Sequence, residues 1–194
     1  MRILIASALL ASTAFAAPAF AQEAPPEGKE FQGAKVLAIA GIDHATGYGD
    51  SRTGFGYGGT IGYDYQSGKA VFGVEGEIDG STAKECQSNV IVTGDRACGK
   101  AGRDLYAGVR AGYVVGGKTL LYVKGGYTNA RVNATYTSPT TSSAGNTDLD
   151  GWRLGTGVEF NATKNIVLRT EYRYSNYDGD TSRHQGVVGV GFKF

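Results

Sequence analysis

Two histidines are the residues in this chain whose chemistry could go beyond ion pairing. His44 and His184 are the only histidines, and Ser182 and Asp180 lie near the second one in the sequence. A serine, histidine and aspartate at one membrane surface would suit a lipid hydrolase or acyltransferase, but a triad is recognised by geometry, not by closeness in sequence. Both histidines are explained as ordinary polar residues at the bases of loops, so we expect no catalytic residues and no enzyme.

The two cysteines, Cys86 and Cys98, could bind a metal or form a disulfide. A zinc site would need further cysteine or histidine ligands, and neither a second cysteine pair nor a nearby histidine is present. A disulfide in an oxidising compartment is therefore expected. Its short loop should stabilise the fold by roughly 2–3 kcal/mol on chain-entropy grounds.

Two further patterns could be taken for a Ca²⁺ site and a dinucleotide-binding loop, but we predict neither ligand. Oxygen ligands for Ca²⁺ could come from Asp148, Asp150 and Asn146, or from Asp178 and Asp180. Acidic residues in loops more commonly meet only water, so no metal site is predicted. The run Gly54–Gly59 fits the spacing of a dinucleotide-binding loop, but it lies inside a strand pattern with no helix after it, so no cofactor is expected.

Alternation of apolar and polar residues with a period of two indicates strands. The clearest example starts at Ile166, where Leu168, Thr170 and Tyr172 alternate with arginine and glutamate. Eight strands are predicted, over residues 34–42, 54–65, 70–82, 104–115, 121–136, 152–160, 166–175 and 188–194. The first of these is apolar on both faces, and the fifth changes phase after Tyr127, which we expect above the membrane or at a bulge.

The connections alternate between short and long. Residues 66–69, 116–118 and 162–165 form tight turns, whereas residues 44–53, 83–102, 137–148 and 178–183 form longer polar links. This layout predicts an eight-stranded antiparallel up-and-down transmembrane β-barrel with short periplasmic turns and four long external loops.

The start of the chain has the pattern of a secretory signal peptide. Arg2 precedes an apolar run, and Ala19-Phe20-Ala21 supplies a cleavage pattern, so we expect cleavage after Ala21, with Ala17 as the alternative. Residues 22–32 are then a periplasmic leader, disordered over 22–30, and residues 33–194 form the barrel. Removing Arg2 leaves equal numbers of basic and acidic residues, so nucleic acid is not expected as a partner.

Aromatic residues at both ends of the apolar strand face predict that this face meets lipid. Two bilayer interfaces select such girdles. A soluble barrel of the lipocalin type would instead turn its apolar face inward around a ligand. The opposite face, made of glycine and charge, would form a poor apolar cavity. The predicted girdle comprises Phe55, Tyr57, Tyr63, Tyr65, Trp152, Phe160, Tyr172 and Tyr174.

The polar strand face is therefore expected to line a narrow lumen. The third and seventh strands lie across an eight-stranded barrel from each other, so their opposite charges should pair, whereas glycines on the other strands leave them room. Such a network would close the lumen. The alternative is a loose, hydrated set of charges and a narrow passive porin for ions and small solutes. The predicted network comprises Glu75, Glu77, Asp79, Arg110, Arg153, Arg169 and Arg173.

Several stretches resemble the porin-family outer-membrane β-barrel proteins of alphaproteobacteria, the small barrels related to the opacity proteins and the 25–31 kDa surface antigens. They are Phe31–Gly33, Gly73–Glu77, Ala101–Arg110, Tyr122–Arg131, Asp150–Gly155, Glu171–Tyr177 and Gly189–Phe194. The resemblance implies the fold and a place in the outer membrane with both termini periplasmic, but no catalytic residues.

The resemblance also implies partners. Phe192 and Phe194 look like the C-terminal aromatic signature that the barrel-assembly machinery reads, and outer-membrane lipid and lipopolysaccharide would surround the barrel. We expect a structural or interaction protein that presents four external loops, and the sequence does not identify what those loops bind.

Overall fold

Antiparallel strands joined by turns make up most of the chain that the structure describes. The structure, a computed structural model, describes residues 28–47, 50–179 and 181–194, without the side chains of Asp50 and Glu85. The expected signal peptide and most of the leader lie outside these residues. The strands of the described residues are β1 Gly33–Gly47, β2 Asp50–Ser67, β3 Ala70–Ser81, β4 Lys84–Ser88, β5 Arg96–Val115, β6 Thr119–Thr137, β7 Ser142–Asn161, β8 Ile166–Tyr177 and β9 Thr181–Lys193. No helix among the described residues is long and apolar enough to cross a bilayer.

The sheet closes on itself as an eight-stranded barrel. Each long strand pairs antiparallel with its chain neighbour, β1 pairs with β9, and β3 pairs directly with β5. The short strand β4 pairs only with β5 and lies outside the ring. The predicted up-and-down barrel is therefore confirmed. Closure pairs every barrel strand on both sides, which removes sheet edges from the barrel wall.

The two ends of the barrel differ as the connection lengths predict. At one end, here called the short-turn end, strands are joined by residues 68–69, 116–118 and 162–165. At the other, the hairpin end, the strands continue far beyond the barrel. The prediction of long loops at 44–53, 83–102, 137–148 and 178–183 was wrong in conformation, because most of these residues are paired strand.

Alternation of apolar and polar side chains shows where one face of a strand is buried, but it does not show where the strand ends. β6 runs unbroken to Thr137 and pairs with β7 up to Ser142, across polar residues that looked like a loop. Threonine, valine and tyrosine in this stretch favour extended backbone whether or not one face is buried. The polar composition therefore marked where the strands leave the apolar layer, and the pairing goes on beyond that point.

A β-bulge lies in β5, beside the part of β6 where the apolar pattern changes phase. Ala101 of β5 opposes Val132, whereas Asp104 opposes Ala130, so two residues of β5 face the single residue Arg131. The bulge lies in β5, while β6 keeps continuous register with β7. It separates the inward and outward pattern of the barrel from that of the second hairpin.

Residues 28–32 close the short-turn end. Phe31 is 2% exposed and packs with Val71, Val114, Leu120 and Tyr122. Its backbone N–H donates to Gln66 Oε1 at 2.8 Å, and Gln66 Nε2 donates to the carbonyl of Gly28 at 2.9 Å. The described end of the predicted leader is thus bound to the barrel. For residues 28–30 the expectation of disorder was wrong.

Replacing Phe31 with alanine should lower the free energy of unfolding by roughly 3 kcal/mol or more, because a buried phenylalanine leaves a cavity when truncated. Urea unfolding of the vesicle-inserted protein, followed by tryptophan fluorescence, measures this loss. Ile91→Ala is the matched control: Ile91 is 75% exposed, so its removal should change stability by less than about 0.5 kcal/mol. Equal losses for both variants would show that Phe31 does not seal the barrel.

Candidate functional site

Charged side chains fill the lumen. All of them point inward from the barrel strands and are buried, with exposures between 0% and 7%. The buried lumen cations include Lys35, Arg110, Lys124, Arg153, Arg169, Arg173 and Arg183. The buried lumen carboxylates are Asp43, Asp64, Glu75, Glu77, Asp79, Asp104, Glu159 and Glu171. Opposite charges are nearly balanced, which is the condition for holding them out of water.

Arg183 organises the layer nearest the hairpin end. Its Nε lies 2.6 Å from Asp43 Oδ1, and its Nη1 lies 3.2 Å from Asp79 Oδ1 and 2.6 Å from Asp104 Oδ2. The hydroxyl of Tyr177 donates to the same Asp104 oxygen at 2.6 Å. One guanidinium therefore joins strands β1, β3 and β5 across the mouth of the lumen.

Glu77 is the centre of the middle layer. Arg173 donates to it in bidentate fashion, from Nη1 at 2.5 Å and from Nη2 at 2.8 Å, and Arg153 Nη1 donates to its Oε1 at 2.8 Å. Lys124 lies beside this group, with its Nζ 2.7 Å from Glu75 and 2.8 Å from Glu171. The bidentate geometry makes the Arg173–Glu77 pair the most directional contact of the layer.

Glu159 gathers the cations of the layer nearest the short-turn end. Lys35 Nζ lies 2.9 Å from its Oε1, and Arg110 and Arg169 each approach its Oε2 at 3.0 Å. Lys35 also lies 2.6 Å from Asp64. Strands β1, β5, β7 and β8 meet at this carboxylate, and the Lys35–Asp64 pair adds β2, so the lumen is bridged here as well.

Two tyrosines separate the charges and fill the remaining space. The guanidinium carbon of Arg110 lies 4.2 Å from the centre of the Tyr122 ring, and Lys124 Nζ lies 4.8 Å from the centre of the Tyr106 ring. The hydroxyl of Tyr122 donates to Glu171. Cations over ring faces are attracted by the ring quadrupole, so each tyrosine stabilises a cation as well as packing beside it.

Inward glycines make room for these long side chains. A Cβ at Gly157 would lie 2.7 Å from the Tyr122 hydroxyl, and one at Gly155 would lie 3.2 Å from Lys124 Cγ. Both glycines are on β7, beside strand β6 that carries the larger residues. The alternation of small and large residues expected for a narrow barrel is thus present at the level of single contacts.

The structure brings together all the residues predicted for the lumen charges. Arg169 reaches Glu75 at 2.7 Å, so β3 and β8 do face each other across the lumen. Sequence reasoning missed further members of the same set. They are Lys35, Asp43, Asp64, Asp104, Lys124, Glu159, Glu171 and Arg183.

The missed residues fall into two groups. Asp64, Asp104, Lys124, Glu159 and Glu171 lie on predicted strands, and a strict reading of the inward parity would have found them. The remaining residues were hidden for other reasons: β1 looks apolar on both faces although Lys35 and Asp43 point inward, and Arg183 was assigned to a loop. Only strand pairing places these three side chains in the lumen.

The outer surface of the barrel is apolar and carries the predicted aromatic residues. Phe55, Tyr57, Trp152 and Tyr172 lie toward the hairpin end, and Tyr63, Tyr65 and Phe160 lie toward the short-turn end, all exposed. Tyr174 is half-buried because its ring lies 5.5 Å from Trp152 and 4.9 Å from His184. Phe192 and Phe194 are also exposed on this surface, at the end of the chain.

The histidines do not form a catalytic group with the residues that the structure describes. His184 Nδ1 lies 2.7 Å from the hydroxyl of Tyr172, and His44 Nδ1 lies 3.0 Å from the hydroxyl of Thr53. The two histidines oppose each other on β1 and β9, whereas Asp180 lies outside the described residues. Their contacts are those of polar residues at the outer end of an aromatic band.

Two of the carboxylates considered as Ca²⁺ ligands, Asp148 and Asp150, already have protein partners. Arg131 donates to Asp148 from Nε at 2.7 Å and from Nη2 at 2.8 Å, and this hydrogen bond lowers the pKa of Asp148. Asp150 accepts from Tyr127 and, at 2.7 Å, from Asn129. The described residues contain no cluster of histidine, cysteine and carboxylate side chains that could hold a metal ion.

The second hairpin, residues 84–100, is the most elaborate of the four. The expected disulfide between Cys86 and Cys98 joins β4 to β5, where the two residues oppose each other. At the tip, the buried carboxylate of Asp95 accepts backbone N–H groups from Val90, Ile91 and Val92 at 2.6–2.9 Å. The disulfide fixes the stem of this hairpin, and Asp95 fixes its tip.

Hydrogen bonding also sets the protonation of Asp95. Burial by itself raises its pKa, but the backbone N–H groups of the tip and the hydroxyl of Tyr136 outweigh burial and lower the pKa to about 2. A carboxyl whose pKa is lowered in the folded state stabilises that state above its ordinary pKa, and the stabilisation disappears as the pH falls through the lowered value. The tip should therefore stay ordered at pH 4.

An NMR titration of the protein in nanodiscs checks this behaviour of Asp95. The amide proton shifts of Val90, Ile91 and Val92 should move together with a midpoint of about pH 2, because these N–H groups lose an ionised acceptor. Asp95→Asn should shift the same amides at neutral pH and remove the titration. A midpoint near 4 would show that the carboxylate is not held by the tip.

Removing Arg173 should destabilise the barrel by about 3–5 kcal/mol, because Glu77 and Glu171 would lose a buried cationic partner. Urea unfolding in vesicles measures the loss. Arg131→Ala removes an equally well-formed pair from the solvent-exposed face of a hairpin and should have a much smaller effect. Comparable losses would mean that the lumen is as hydrated as the surface.

Comparisons with known proteins agree with this architecture. Residues 7–194 match the family model described as "outer membrane protein beta-barrel domain". The chain is 28% identical to the 25 kDa outer-membrane immunogenic protein of Brucella ovis, over 99% of this chain and 96% of that protein. It is 31% identical to the 22 kDa outer membrane protein of Rhizobium leguminosarum bv. viciae, over 90% of this chain and 83% of that protein.

Solved structures show the same fold. The attachment invasion locus protein Ail of Yersinia pestis, in complex with the heparin analogue sucrose octasulfate, superposes with a TM-score of 0.58 at 17% identity, covering 84% of this chain and 99% of Ail. Neisserial surface protein A gives a TM-score of 0.53 at 17% identity, covering 83% of this chain and 97% of that protein. These similarities concern the fold alone.

Proposed function

Since the chain belongs to the outer-membrane protein β-barrel family, we propose that it is a non-conducting barrel that presents its four hairpins at the cell surface. Multi-pass location in the outer membrane is confirmed by the family and its relatives. In this membrane the hairpin end is external and the short-turn end is periplasmic. The closed lumen and the role of the hairpins in meeting partners are the parts that we propose.

The burial of the lumen charges is the observation that carries the closed state. The side chains of Lys124, Arg153 and Arg173 are 0% exposed, as are those of their partners Glu75 and Glu77. Charged groups that water does not reach cannot line a water-filled path for ions. A hydrated porin would instead leave its lumen charges exposed on a continuous aqueous channel.

A second closure lies at the periplasmic end. Phe31 inserts beneath the charge layers, and the carbonyl of Glu30 accepts from Asn161 at 2.8 Å and from Lys193. The two closures use different chemistry, one ion pairing and the other apolar packing. An ion would have to cross both, which favours a structural barrel over the porin alternative.

The hairpins then form the part of the protein that can meet partners. A cleft of about 390 Å³ opens between them, lined by Arg52 of the first hairpin, Gln87 and Cys98 of the second, and Tyr136 and Ser143 of the third. The hairpins therefore form one composite surface, held on a rigid barrel, which is a common arrangement for recognition.

Planar-bilayer recording of the refolded protein tests the closed lumen. The wild type should show no conductance steps, and Glu75→Ala/Glu77→Ala should show steps when combined with Phe31→Ala, because this variant weakens both closures. The Glu75→Ala/Glu77→Ala variant without the third substitution shows whether the apolar closure suffices alone. Heat-modifiable migration on gels verifies that each variant is folded.

Asp148→Ala/Asp150→Ala is the matched control, since it removes the same charge from an external hairpin and should stay silent. Steady steps from the wild type, unchanged by the lumen substitutions, would contradict the proposal and identify a small porin. If the lumen variants fail to fold, the wild-type recording still decides, because silence supports closure and steps exclude it.

A further inference from the structure

The tip of the second external hairpin exposes three consecutive branched apolar side chains. Val90, Ile91 and Val92 are 49%, 75% and 49% exposed. Unlike the apolar residues of the barrel wall, they are not covered by the bilayer of their own membrane. The fold does not require apolar residues here, because the turn is held by Asp95 and not by these side chains.

The tip is held in one conformation before any partner arrives. The carboxylate of Asp95, 1% exposed, accepts the N–H groups of all three apolar residues and the hydroxyl of Tyr136 at 2.8 Å. The side chain of Asn89 accepts the N–H of Gly94 at 2.8 Å. Ordering these groups in advance lowers the entropy cost of binding through them.

The tip lies far from the apolar barrel wall that meets the protein's own membrane. Leu105 and Trp152 mark the outer edge of the apolar barrel wall, and the bulge of β5 lies just above it. From Asp104 to Arg96 the strand rises by about 3.3 Å per residue, which carries the tip roughly 25 Å farther along the hairpin. The apolar side chains therefore lie beyond the outer edge of the apolar barrel wall, where a second surface can contact them.

The size and shape of the tip favour a lipid bilayer over a protein as that partner. A stable protein interface buries about 1,200–2,000 Å² in total, which three side chains on a convex turn do not supply. Small apolar tips flanked by cations do suit a membrane interface, where apolar side chains enter the acyl region and cations meet headgroups.

The exposed charges of the second hairpin fit an anionic surface. Lys84, Arg96 and Lys100 are exposed on the same hairpin, whose acidic residues are Glu85 and the buried Asp95. Lys84 and Lys100 oppose each other directly across β4 and β5. Arg96 lies next to the tip, whereas the two lysines lie four residue pairs farther down the stem. Arg96 is therefore the cation placed to meet anionic headgroups when the tip inserts.

We propose that the second hairpin docks the protein onto an apposed anionic bilayer by inserting Val90, Ile91 and Val92. This inference rests on the proposed role of the external hairpins, and it is independent of whether the lumen conducts. The disulfide and Asp95 hold the inserting residues together at the end of a stiff stem, so that many copies on one cell surface would add their weak contacts.

Capture of protein-free vesicles tests the proposal. The protein in nanodiscs is mixed with vesicles of phosphatidylcholine and phosphatidylserine, and the captured fraction is measured by flotation. Val90→Thr/Ile91→Thr/Val92→Thr keeps branched side chains but makes them polar, and should reduce capture by about fivefold or more. Val132→Thr, an exposed residue of the third hairpin, is the control and should leave capture unchanged.

Insertion itself is measured with a tryptophan at the tip. Trp152 is the only tryptophan, so Trp152→Phe/Ile91→Trp places a single fluorophore at the centre of the apolar group. Its emission should be quenched when brominated acyl chains are present in the acceptor vesicles only. Vesicles of phosphatidylcholine alone should capture less, because they lack the anionic headgroup.

The contrary results are equally clear. No capture by the wild type, equal capture by the threonine variant, or an unquenched tryptophan on captured vesicles would overturn the proposal. If the threonine variant does not fold, the quenching measurement still decides. Conductance steps from the wild type would reject the closed lumen and leave vesicle capture unaffected, so the two failures can be told apart.

Discussion

Charge pairing among the buried side chains of the lumen is the constraint on which the rest of the molecule depends. A buried ion costs on the order of several kcal/mol unless opposite charges and hydrogen bonds surround it. Here single side chains such as Arg183, Glu77 and Glu159 each meet partners from several strands. The pairs therefore tie the barrel wall together across its interior, where a soluble protein would place an apolar core.

The small circumference of the barrel makes this arrangement possible. Eight strands enclose a space that side chains can fill, and the inward glycines of β7 leave room for Tyr122 and Lys124 of the neighbouring strand. The apolar residues, released from core packing, cover the outer wall and face lipid. The two ends are then finished differently, by Phe31 at the periplasmic side and by paired hairpins outside.

The hairpins extend the barrel architecture beyond the bilayer with different chemistry. Backbone pairing continues, but the outward side chains become polar, as in the pairing of Arg131 with Asp148. The bulge in β5 turns the second hairpin away from the barrel pattern. A disulfide and the carboxylate of Asp95 then hold a tip whose exposed apolar residues have no role in the barrel. The external hairpins are therefore held by specific contacts, as the barrel wall is.

The sequence by itself determined the strand number, the direction of the apolar face and the alternation of short and long connections, because all three follow from period-two patterning and turn residues. It also predicted the disulfide, and that the carboxylates of the third barrel strand face the arginines of the seventh across the lumen. The tertiary structure alone decided the inward positions of Lys35, Asp43 and Arg183, the course of the hairpins and the insertion of Phe31. Side-chain alternation reports only which face meets lipid, whereas closure and strand register decide which distant residues meet.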